Sequence, residues 1–505
     1  MGKPEIAGRR RARRRRPRSL LVAFAAGMLV AWPIAAREGD PHEPRRFAML
    51  EGVSLLETPP SAGLASSPGL LEEKPPPVPQ PVRPPGRRRF LTAVSELALI
   101  EAIPWAWNRY VAGEDFARIS WETIENNFDA GFGYDPDTFE VNQSSHPYHG
   151  SLFFNAAREN GYGFWESSAF ALVGSLIWEC CMENTRPSTN DLVNTTLGGM
   201  TRGEVAHRLS NMIIDNESTG KTRLIREIAA GVVNPAAFLN RLLRGEAFKE
   251  FENSYDRFPS HLGLSTDVGY RRFEHGAHRN QWIATLSFLY GDPFEGDMSR
   301  PFDSFWVGID MSSPGGVLFT RIEERGLLKG WELSEKTAAV RHIFAFGQEY
   351  EYLNNVSQVF GAQILSAGLL SRYAIREGLI GLTDVSILAI PLAGIRTIDV
   401  ENPETGRNYD YAPGGGARVG ARVFFGGHEV LGAEYGVAWA HTVNGTSDNN
   451  TLQFVRTVAR VPIGIFGAGV SYAWYSRKTS YPGFFEERKR QAEWRVFGNV
   501  AIIFK

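Results

Sequence analysis

Cysteine is nearly absent from this 505-residue sequence, which contains only Cys180 and Cys181. Because these two residues are adjacent, a disulfide between them would need a strained ring and would join no distant segments. A disulfide framework is therefore excluded, and the folded part of the chain must be held together by packing.

Several widespread catalytic motifs are also missing from the sequence. It has no Gly-x-Ser-x-Gly nucleophile elbow, no His-Glu-x-x-His zinc motif and no phosphate-binding loop. These absences exclude the enzyme classes that depend on those motifs. Serine hydrolysis through an isolated Ser/His pair stays open, because such a pair leaves no local pattern. No cofactor is expected.

An overall excess of positive charge is missing too, since 54 Lys and Arg stand against 56 Asp and Glu for a formal net charge of −2. The distribution is uneven, because residues 1–36 hold eight Arg, one Lys and one Glu and so carry +8. Subtracting this segment leaves −10 for the remainder of the chain. That balance argues against a nucleic-acid-binding protein.

The first 36 residues have the layout of a secretory signal peptide. The arginines are followed by an apolar stretch that contains Pro33 and ends in the small residues Ala35 and Ala36. Residues 1–36 are therefore predicted to be a signal peptide. An uncleaved N-terminal anchor is the alternative, because Ile34 makes the cleavage site imperfect. Under either interpretation the rest of the chain is exported.

Residues 37–89 are predicted to be a proline-rich, disordered linker. Ten prolines lie between Thr58 and Arg89, and aromatic residues are almost absent there. Such a stretch cannot bury enough apolar surface to offset the entropy lost on ordering. It is expected to act as an extended, semi-rigid tether.

Residues 90–250 show helical periodicity and are predicted to form a helical module. The predicted helices cover residues 91–103, 150–159, 164–184, 202–214 and 235–243. Pro104 is expected to end the first of them. The third is apolar on nearly all sides yet has Glu179 and Glu183 near its end. Such a helix is surrounded by protein or lipid, and its carboxylates need partners.

The periodicity changes from 3.6 to 2 in the C-terminal half of the chain. Val419 and Val423, for example, alternate with Arg418 and Arg422. About twelve segments of this kind, separated by turn residues, occupy residues 257–505. The valines are predicted to face lipid and the arginines to face a lumen. The predicted fold class is α+β: an N-terminal helical module followed by an antiparallel transmembrane β-barrel of about 12 strands.

A soluble β-sandwich would show the same alternation and stays as the alternative. The barrel is favoured because one face of the strands carries mostly Gly, Ser, Ala and isolated Arg or Glu, as in a tight lumen, while aromatic residues cluster at strand ends. The apolar stretch 379–395 is predicted to be a pair of strands or a strand plus turn, because it contains Pro391.

One part of the helical module resembles a known family. The resemblance rests on an ordered series of short motifs, at residues 142–150, 155–158, 165–167, 174–179, 187–192 and 198–204. Over roughly residues 105–215 they resemble an uncharacterised bacterial envelope family, the domain of unknown function 3943. The resemblance implies an exported, outer-membrane protein, and it supplies no activity and no catalytic residues. Cys180-Cys181-Met182 departs from the family pattern.

Five polar residues of the module are candidate catalytic residues: His146, His149, Glu179, Glu183 and Asp191. The two glutamates are four residues apart and share a helix face, so with two imidazoles they could form a metal or acid–base site. The His-Pro-Tyr-His spacing matches no metal motif, and Pro147 is predicted to keep the two rings off one helix. Hydrogen bonding between packed helices is the favoured interpretation, with Asn190 and Asp191 in a helix cap.

The glycine-rich segment with Gly198, Gly199 and Gly203 is a candidate ligand-binding loop. At a helix N-terminus it could hold an anionic headgroup. Glu204 already complements the helix dipole at this point, so a simple helix cap is the favoured interpretation.

Together these features predict an exported outer-membrane β-barrel protein. The helical module is expected to be a plug in the lumen or a periplasmic cap, which serves the binding or passage of an envelope component. The expected partners are outer-membrane lipid, the barrel-assembly machinery and an envelope lipid or glycan ligand, and no nucleic acid. The alternative is a membrane-embedded lipid or glycolipid hydrolase or modifying enzyme that uses the His/Glu cluster. A purely structural envelope protein is the third hypothesis.

Overall fold

The computed structural model describes residues 88–504, except for 254–256, 277–278, 297, 314–316, 398–405, 484 and the side chain of residue 504. The predicted signal peptide, residues 1–36, lies outside the described residues. Nearly all of the predicted linker, residues 37–89, lies outside them as well.

The first part of the described chain is helical. Its α-helices are α1 (Phe90–Trp107), α2 (Trp121–Ala130), α3 (His146–Arg158), α4 (Phe164–Ile177), α5 (Thr189–Val193), α6 (Gly199–Ile213), α7 (Gly220–Val233) and α8 (Pro235–Leu243), with a 3₁₀ turn at Glu246–Phe248. Single π-helical turns extend or precede four of them, at Asn108–Ala112, Val141–Ser145, Trp178–Met182 and Asn194–Gly198. We call this part the helical module.

The second part is a closed antiparallel barrel. Its strands are β1 (Leu262–Phe273), β2 (Asn280–Tyr290), β3 (Phe305–Ser313), β4 (Phe319–Glu332), β5 (Val340–Asn354), β6 (Val359–Arg376), β7 (Leu379–Ile395), β8 (Asp410–Phe425), β9 (His428–His441), β10 (Asn449–Ile463), β11 (Phe466–Tyr481) and β12 (Phe485–Phe504). Each strand pairs with its neighbours in sequence, and β12 pairs with β1. The predicted fold class, with about 12 strands, is confirmed.

The two faces of the barrel wall are as the alternation predicts. On β8 the Arg418 guanidinium points inward and donates two hydrogen bonds of 2.7 Å to Glu349 of β5. Arg422 lines an interior cavity. Val419 points outward and is 45% exposed. Successive side chains of a strand point to opposite faces, and directly paired residues on neighbouring strands share a face. These residues of β8 therefore show which side chains of the other strands point inward and which point outward.

Ion pairs cross the lumen between strands that are not neighbours. Arg325 of β4 donates to Glu434 of β9 at 2.7 Å. Arg456 of β10 donates to Glu323 of β4 at 2.5 Å. Together with the pair between Arg418 and Glu349, these contacts form what we call the luminal ion-pair layer. The layer fills the mid-section of the barrel with side chains.

The helical module packs on the outside of the barrel wall. Gln348 and Tyr350 flank the inward-facing Glu349 and therefore point outward. Gln348 donates a hydrogen bond of 2.9 Å to the carbonyl oxygen of Leu197, and Tyr350 donates one of 2.5 Å to that of Gln143. Both acceptors belong to the helical module, so the contact is with the outer face of β5.

Burial of outward-facing side chains gives the extent of this contact. Val307, Ile309 and Ile322 point outward from β3 and β4 and are at most 2% exposed, because module side chains cover them. Ile387 on β7 and Val496 on β12 also point outward and are 69% and 64% exposed. The module thus covers one side of the outer wall and leaves the other side bare.

This position differs from the two that the sequence suggested, a plug in the lumen or a cap below it. Alternation identifies the outward face of a strand but contains no information on what covers that face. Helices and lipid both require apolar outward-facing side chains. The sequence pattern is therefore the same for the bare part of the wall and for the part under the module.

Two proline-based predictions were wrong. Pro104 lies inside α1 and does not end it. The stretch Leu379–Ile395 is one strand, and Pro391 lies at a register shift between Ile390 and Ala393, where the ladder is already interrupted. A bulge is one of the few places where a sheet tolerates proline, because no ladder hydrogen bond is lost there.

One helix among the described residues is long and apolar enough to cross a membrane. It is the segment Phe90–Ala112, which consists of α1 and the following π-helical turn, and only 22% of its most apolar window is buried in the structure. Length and composition are the whole basis of this assignment.

Candidate functional site

A buried polar cluster lies where three π-helical turns of the module meet. His146 directly follows the turn Val141–Ser145, Glu179 lies within Trp178–Met182, and Asp191 precedes Asn194–Gly198. We call these three residues the His–carboxylate centre. The π-helical turn is rare and occurs often at functional sites, where it shifts a side chain out of the regular helical register.

His146 is held in one orientation by contacts through both ring nitrogens. Its Nδ1 lies 3.2 Å from Thr195 Oγ1, and its Nε2 lies 3.3 Å from Asp191 Oδ1. His146 begins α3, and Pro147 follows within the first turn of that helix. The prediction that Pro147 keeps His146 and His149 off one helix was wrong, because a first-turn residue needs no N–H donor in the helix.

The two carboxylates of the centre are buried, each 3% exposed. The Ser188 backbone N–H donates to Glu179 Oε2 at 2.8 Å, and Asn190 Nδ2 donates to Asp191 Oδ1 at 2.9 Å. Burial raises the pKa of Glu179 well above its usual range, and the charge of nearby Glu183 raises it further. Burial also raises the pKa of Asp191, with Asp135 as the next contributor.

Asparagine side chains connect the centre to a further carboxylate and to the barrel. Asn142 and Asn190 both donate to Asp135 Oδ1, at 3.0 and 2.8 Å. Asn142 also lies 2.7 Å from Tyr409 Oη, next to the first residue of β8. The centre is therefore tied to the outer wall by a continuous chain of hydrogen bonds.

Ion pairs to these carboxylates are few in the part of the chain that the structure describes. Among the described residues, the one ion-pair partner of Asp191 is His146, and Glu179 and Asp135 have none. Elsewhere in the module the opposite holds, because Arg158 and Arg208 both pair with the buried Glu204. The His–carboxylate centre thus combines three groups suited to proton transfer or cation binding with a local excess of negative charge.

Two of the predicted site residues have other surroundings. The His149 ring packs on Phe153 and Trp178, with ring centroids 4.4 and 4.9 Å apart. Glu183 accepts hydrogen bonds from Trp178 Nε1 at 2.6 Å and from Thr185 Oγ1 at 3.0 Å. Burial raises the pKa of Glu183 to about 7. Both residues border the centre without belonging to its group of converging atoms.

The three glycines of the candidate loop lie within a continuous helical segment and serve as points of close packing. A Cβ on Gly199 would lie 2.5 Å from the carbonyl carbon of Gly150, and one on Gly203 would lie 2.6 Å from the Phe154 ring. A Cβ on Gly198 would meet Pro147 at 2.6 Å. These glycines allow α3 and α6 to cross closely, which brings Thr195 next to His146.

Sequence reasoning missed several residues of this site. Asp135 and Thr195 received no role, and Asn190 was assigned to a cap, although the N-cap of α5 is Ser188, whose Oγ accepts from the Asp191 N–H. A usable signal was present, because Asp135 and Asn142 lie just before the predicted site histidines in a segment rich in polar residues.

Comparison with known proteins identifies one family. Residues 131–236 match the family model described as "Domain of unknown function (DUF3943)". The match confirms the family resemblance, and it includes all three residues of the His–carboxylate centre. No curated protein matches the sequence.

Solved structures similar to this chain include the NanC porin, at 10% identity over 47% of this chain and 98% of that one, with a TM-score of 0.26. The KdgM porin matches at 10% identity over the same shares of both chains, with a TM-score of 0.23. OmpT, an outer membrane protein of Vibrio cholerae, matches at 8% identity over 48% and 96%, with a TM-score of 0.21.

Proposed function

We propose that this chain is an outer-membrane β-barrel protein whose helical module binds a lipid or a lipid-linked glycan of the envelope. Support for the location comes from the bare outer wall, where Trp282, Ile387 and Val496 are 67%, 69% and 64% exposed. A closed barrel pairs all its backbone groups, so such a wall can lie in lipid at little cost.

The exposed face of the module is also apolar. On α1, Leu99 and Ile103 are 50% and 64% exposed, and on α4, Leu172 and Val173 are 40% and 47% exposed. A contiguous apolar surface of this kind marks a site for a protein, a membrane or a ligand. Because the module sits beside the outer wall, acyl chains are the partner that this surface fits best.

Passage through the lumen has less support than binding. The luminal ion-pair layer joins β4 to β9 and β10 and joins β5 to β8, so it spans the barrel. The observation that carries the proposal is the combination of this filled lumen with an apolar module on the outer wall. One interior cavity, about 310 Å³ in volume, borders the layer at Arg325, Glu434 and Arg456.

The location and the closed lumen are tested by fractionation and by planar-bilayer recording. The mature protein is expected to fractionate with the outer membrane and to show heat-modifiable migration on gels. The purified protein is expected to give no stable single-channel conductance. Recovery in the soluble periplasmic fraction would contradict the location, and stepwise conductance would favour passage over binding.

Lipid binding by the module is tested by native mass spectrometry of the detergent-extracted protein. Replacing Val173 of α4 by Gln is expected to reduce the number of retained lipids. The matched control is Val496→Gln on the bare wall, which is equally apolar and somewhat more exposed, at 64% against 47%. Equal lipid retention in the two variants would contradict a binding role for the module.

A lipid- or glycolipid-modifying enzyme is the second candidate. It is favoured by the contact of 3.3 Å between His146 and the buried Asp191, an arrangement that general acid–base catalysis could use. Analysis of envelope lipids from strains with wild-type protein, no protein or His146→Ala separates the two candidates. A modification lost in both altered strains would favour the enzyme, and unchanged lipids would favour binding alone.

The barrel-assembly machinery is the proposed partner during membrane insertion. β12 pairs with β1 and so forms the seam at which the barrel closes. Outward-facing Trp494, Val496 and Val500 alternate along it toward the end of the chain. A strand of this kind is the expected recognition signal for the machinery.

A further inference from the structure

We infer that His146, Glu179 and Asp191 bind one divalent transition-metal ion. One potential ligand atom from each residue lies within 4.8 Å of those of the other two. His146 Nε2 and Asp191 Oδ1 lie 3.3 Å apart. Two ligand atoms of a tetrahedral metal ion with bonds of about 2.0–2.1 Å are separated by about the same distance. The inference does not depend on the proposed lipid binding.

Hydrogen bonds from outside the centre orient each ligand, as is usual around metal ions. His146 has its Nδ1 next to Thr195 Oγ1, which leaves Nε2 directed at the carboxylates. Glu179 is fixed by the Ser188 N–H, and Asp191 by Asn190 Nδ2. Such outer contacts select the histidine tautomer and hold carboxylates in place, and packing alone does not require them on all three residues.

A second observation is the small number of hydrogen-bond donors around the buried Glu179 carboxylate. Glu179 is 3% exposed, and the Ser188 N–H is the one hydrogen-bond donor to it among the described residues. One of its oxygens lies within 4.8 Å of a potential ligand atom of His146 and of one of Asp191. A buried carboxylate in this state costs free energy unless it takes up a proton or a cation.

The three π-helical turns supply a third, geometric observation. In a regular helix the side chains around His146 and Glu179 would follow the 3.6-residue period, whereas an added residue in a turn rotates them relative to the helix. Glu179 lies within such a turn, His146 directly follows one, and Asp191 lies three residues before one. Three coincident distortions around one point are expected if selection acts on the positions of the ligand atoms.

The ligand set indicates which metals fit. One imidazole and two carboxylates suit Zn²⁺, Mn²⁺ or Fe²⁺, whereas Cu⁺ prefers sulfur ligands. Cys180 and Cys181 do not contribute to the converging group of atoms. Three protein ligands leave at least one coordination position for water or a substrate, as in catalytic sites.

The test measures metal bound to the full-length protein in detergent. The protein is treated with a chelator, equilibrated with ZnCl₂ or MnCl₂, freed of unbound ion by size exclusion and analysed by elemental mass spectrometry. The expected result is one ion per wild-type chain and at least ~10-fold weaker binding in His146→Ala and Asp191→Asn. The matched control is His441→Ala, at the end of β9, which is expected to bind like the wild type.

Heat-modifiable migration shows which variants have assembled. If His146→Ala fails to fold, Asp191→Asn still tests the site, because Asn has nearly the same shape as Asp. Absence of stoichiometric metal in the wild type would overturn the inference, as would equal binding by Asp191→Asn and His441→Ala. The lipid-retention and conductance experiments are run in chelator. Their failure would therefore affect the proposed function and leave the metal site standing.

Discussion

At the scale of single residues, burial decides which charges matter for stability. Glu204 is fully buried and accepts hydrogen bonds from Arg158 at 2.8 and 3.2 Å and from Arg208 at 2.8 Å. Replacing it by Gln removes the ion-pair partner of Arg158 and leaves Arg208 with Asp303, at 3.2 Å, as its counter-charge. We expect Glu204→Gln to lower the free energy of unfolding by about 3–5 kcal/mol, as for other broken buried pairs.

The matched control is Asp115→Asn, because Asp115 is 90% exposed and pairs with the exposed Arg118. Exposed pairs contribute about 0–1 kcal/mol, so a small effect is expected. Denaturant unfolding of the full chain in detergent, followed by helical circular dichroism, measures both. A similar decrease in the free energy of unfolding in the two variants would mean that the ion pairs of Glu204 do not stabilise the contact between α3 and α6.

The candidate site was only partly predictable at this scale. His146, Glu179 and Asp191 were identified because a sequence shows which side chains can bind protons or metals. The sequence did not predict that these three side chains lie together. Their positions depend on π-helical turns, and no local pattern of residues specifies such turns. His149 has the same chemistry and a similar position in the chain, yet its ring packs on Phe153 and Trp178.

At the scale of elements, the strands were the easier prediction. A barrel wall has one apolar and one polar face along each strand, so the period of 2 in β8 and β11 is visible directly in the sequence. The helices were harder, and α2, the short α5 and α7 were missed. In α2 and α7 several apolar side chains lie on the exposed surface; Leu224 of α7, for example, is 60% exposed. Only a short row of side chains on α7 is buried in the core, so its helical periodicity is weak.

The faces of β8 give a prediction at the same scale. Val419→Arg places a charge on the outward side of the wall, where it is expected to cost about 2–4 kcal/mol at mid-depth. Arg422→Val changes an inward-facing residue at the interior cavity and is expected to cost far less. Folding equilibria in lipid vesicles measure both. Equal costs would show that the two faces are assigned wrongly.

The crossing of α3 with the segment before α6 gives another prediction. A Cβ at position 150 would lie 1.8 Å from the carbonyl oxygen of Thr195, so Gly150→Ala must push the two segments apart. We expect a loss of about 3 kcal/mol in module stability, the upper end of overpacking costs. Gly163→Ala is the control, because its Cβ would have its nearest contact at 3.5 Å. A thermal melt that shifts equally in both variants would contradict the close crossing.

At the scale of the whole molecule, the position of the helical module is the central claim. The helical module covers one side of the outer wall, the other side is bare, and side chains fill the mid-section of the lumen. The barrel itself was predictable from alternation. The placement of the module was not predictable, because contacts such as that of Tyr350 with Gln143 join residues 207 positions apart.

The most direct test of this placement is a disulfide between the module and the outer wall. A Cβ on outward-facing Gly361 of β6 would lie 2.9 Å from the Cβ of Gln143. The Cβ–Cβ distance across a disulfide is about 3.5–4.5 Å, so a small shift would allow the bond. The neighbouring Ala362 faces the lumen, since it pairs with luminal Glu351. We expect Gln143→Cys with Gly361→Cys to form the bond in assembled protein, identified by peptide mass mapping, and Gln143→Cys with Ala362→Cys to form none. A bond in the second pair and none in the first would place the module inside the barrel and contradict the account.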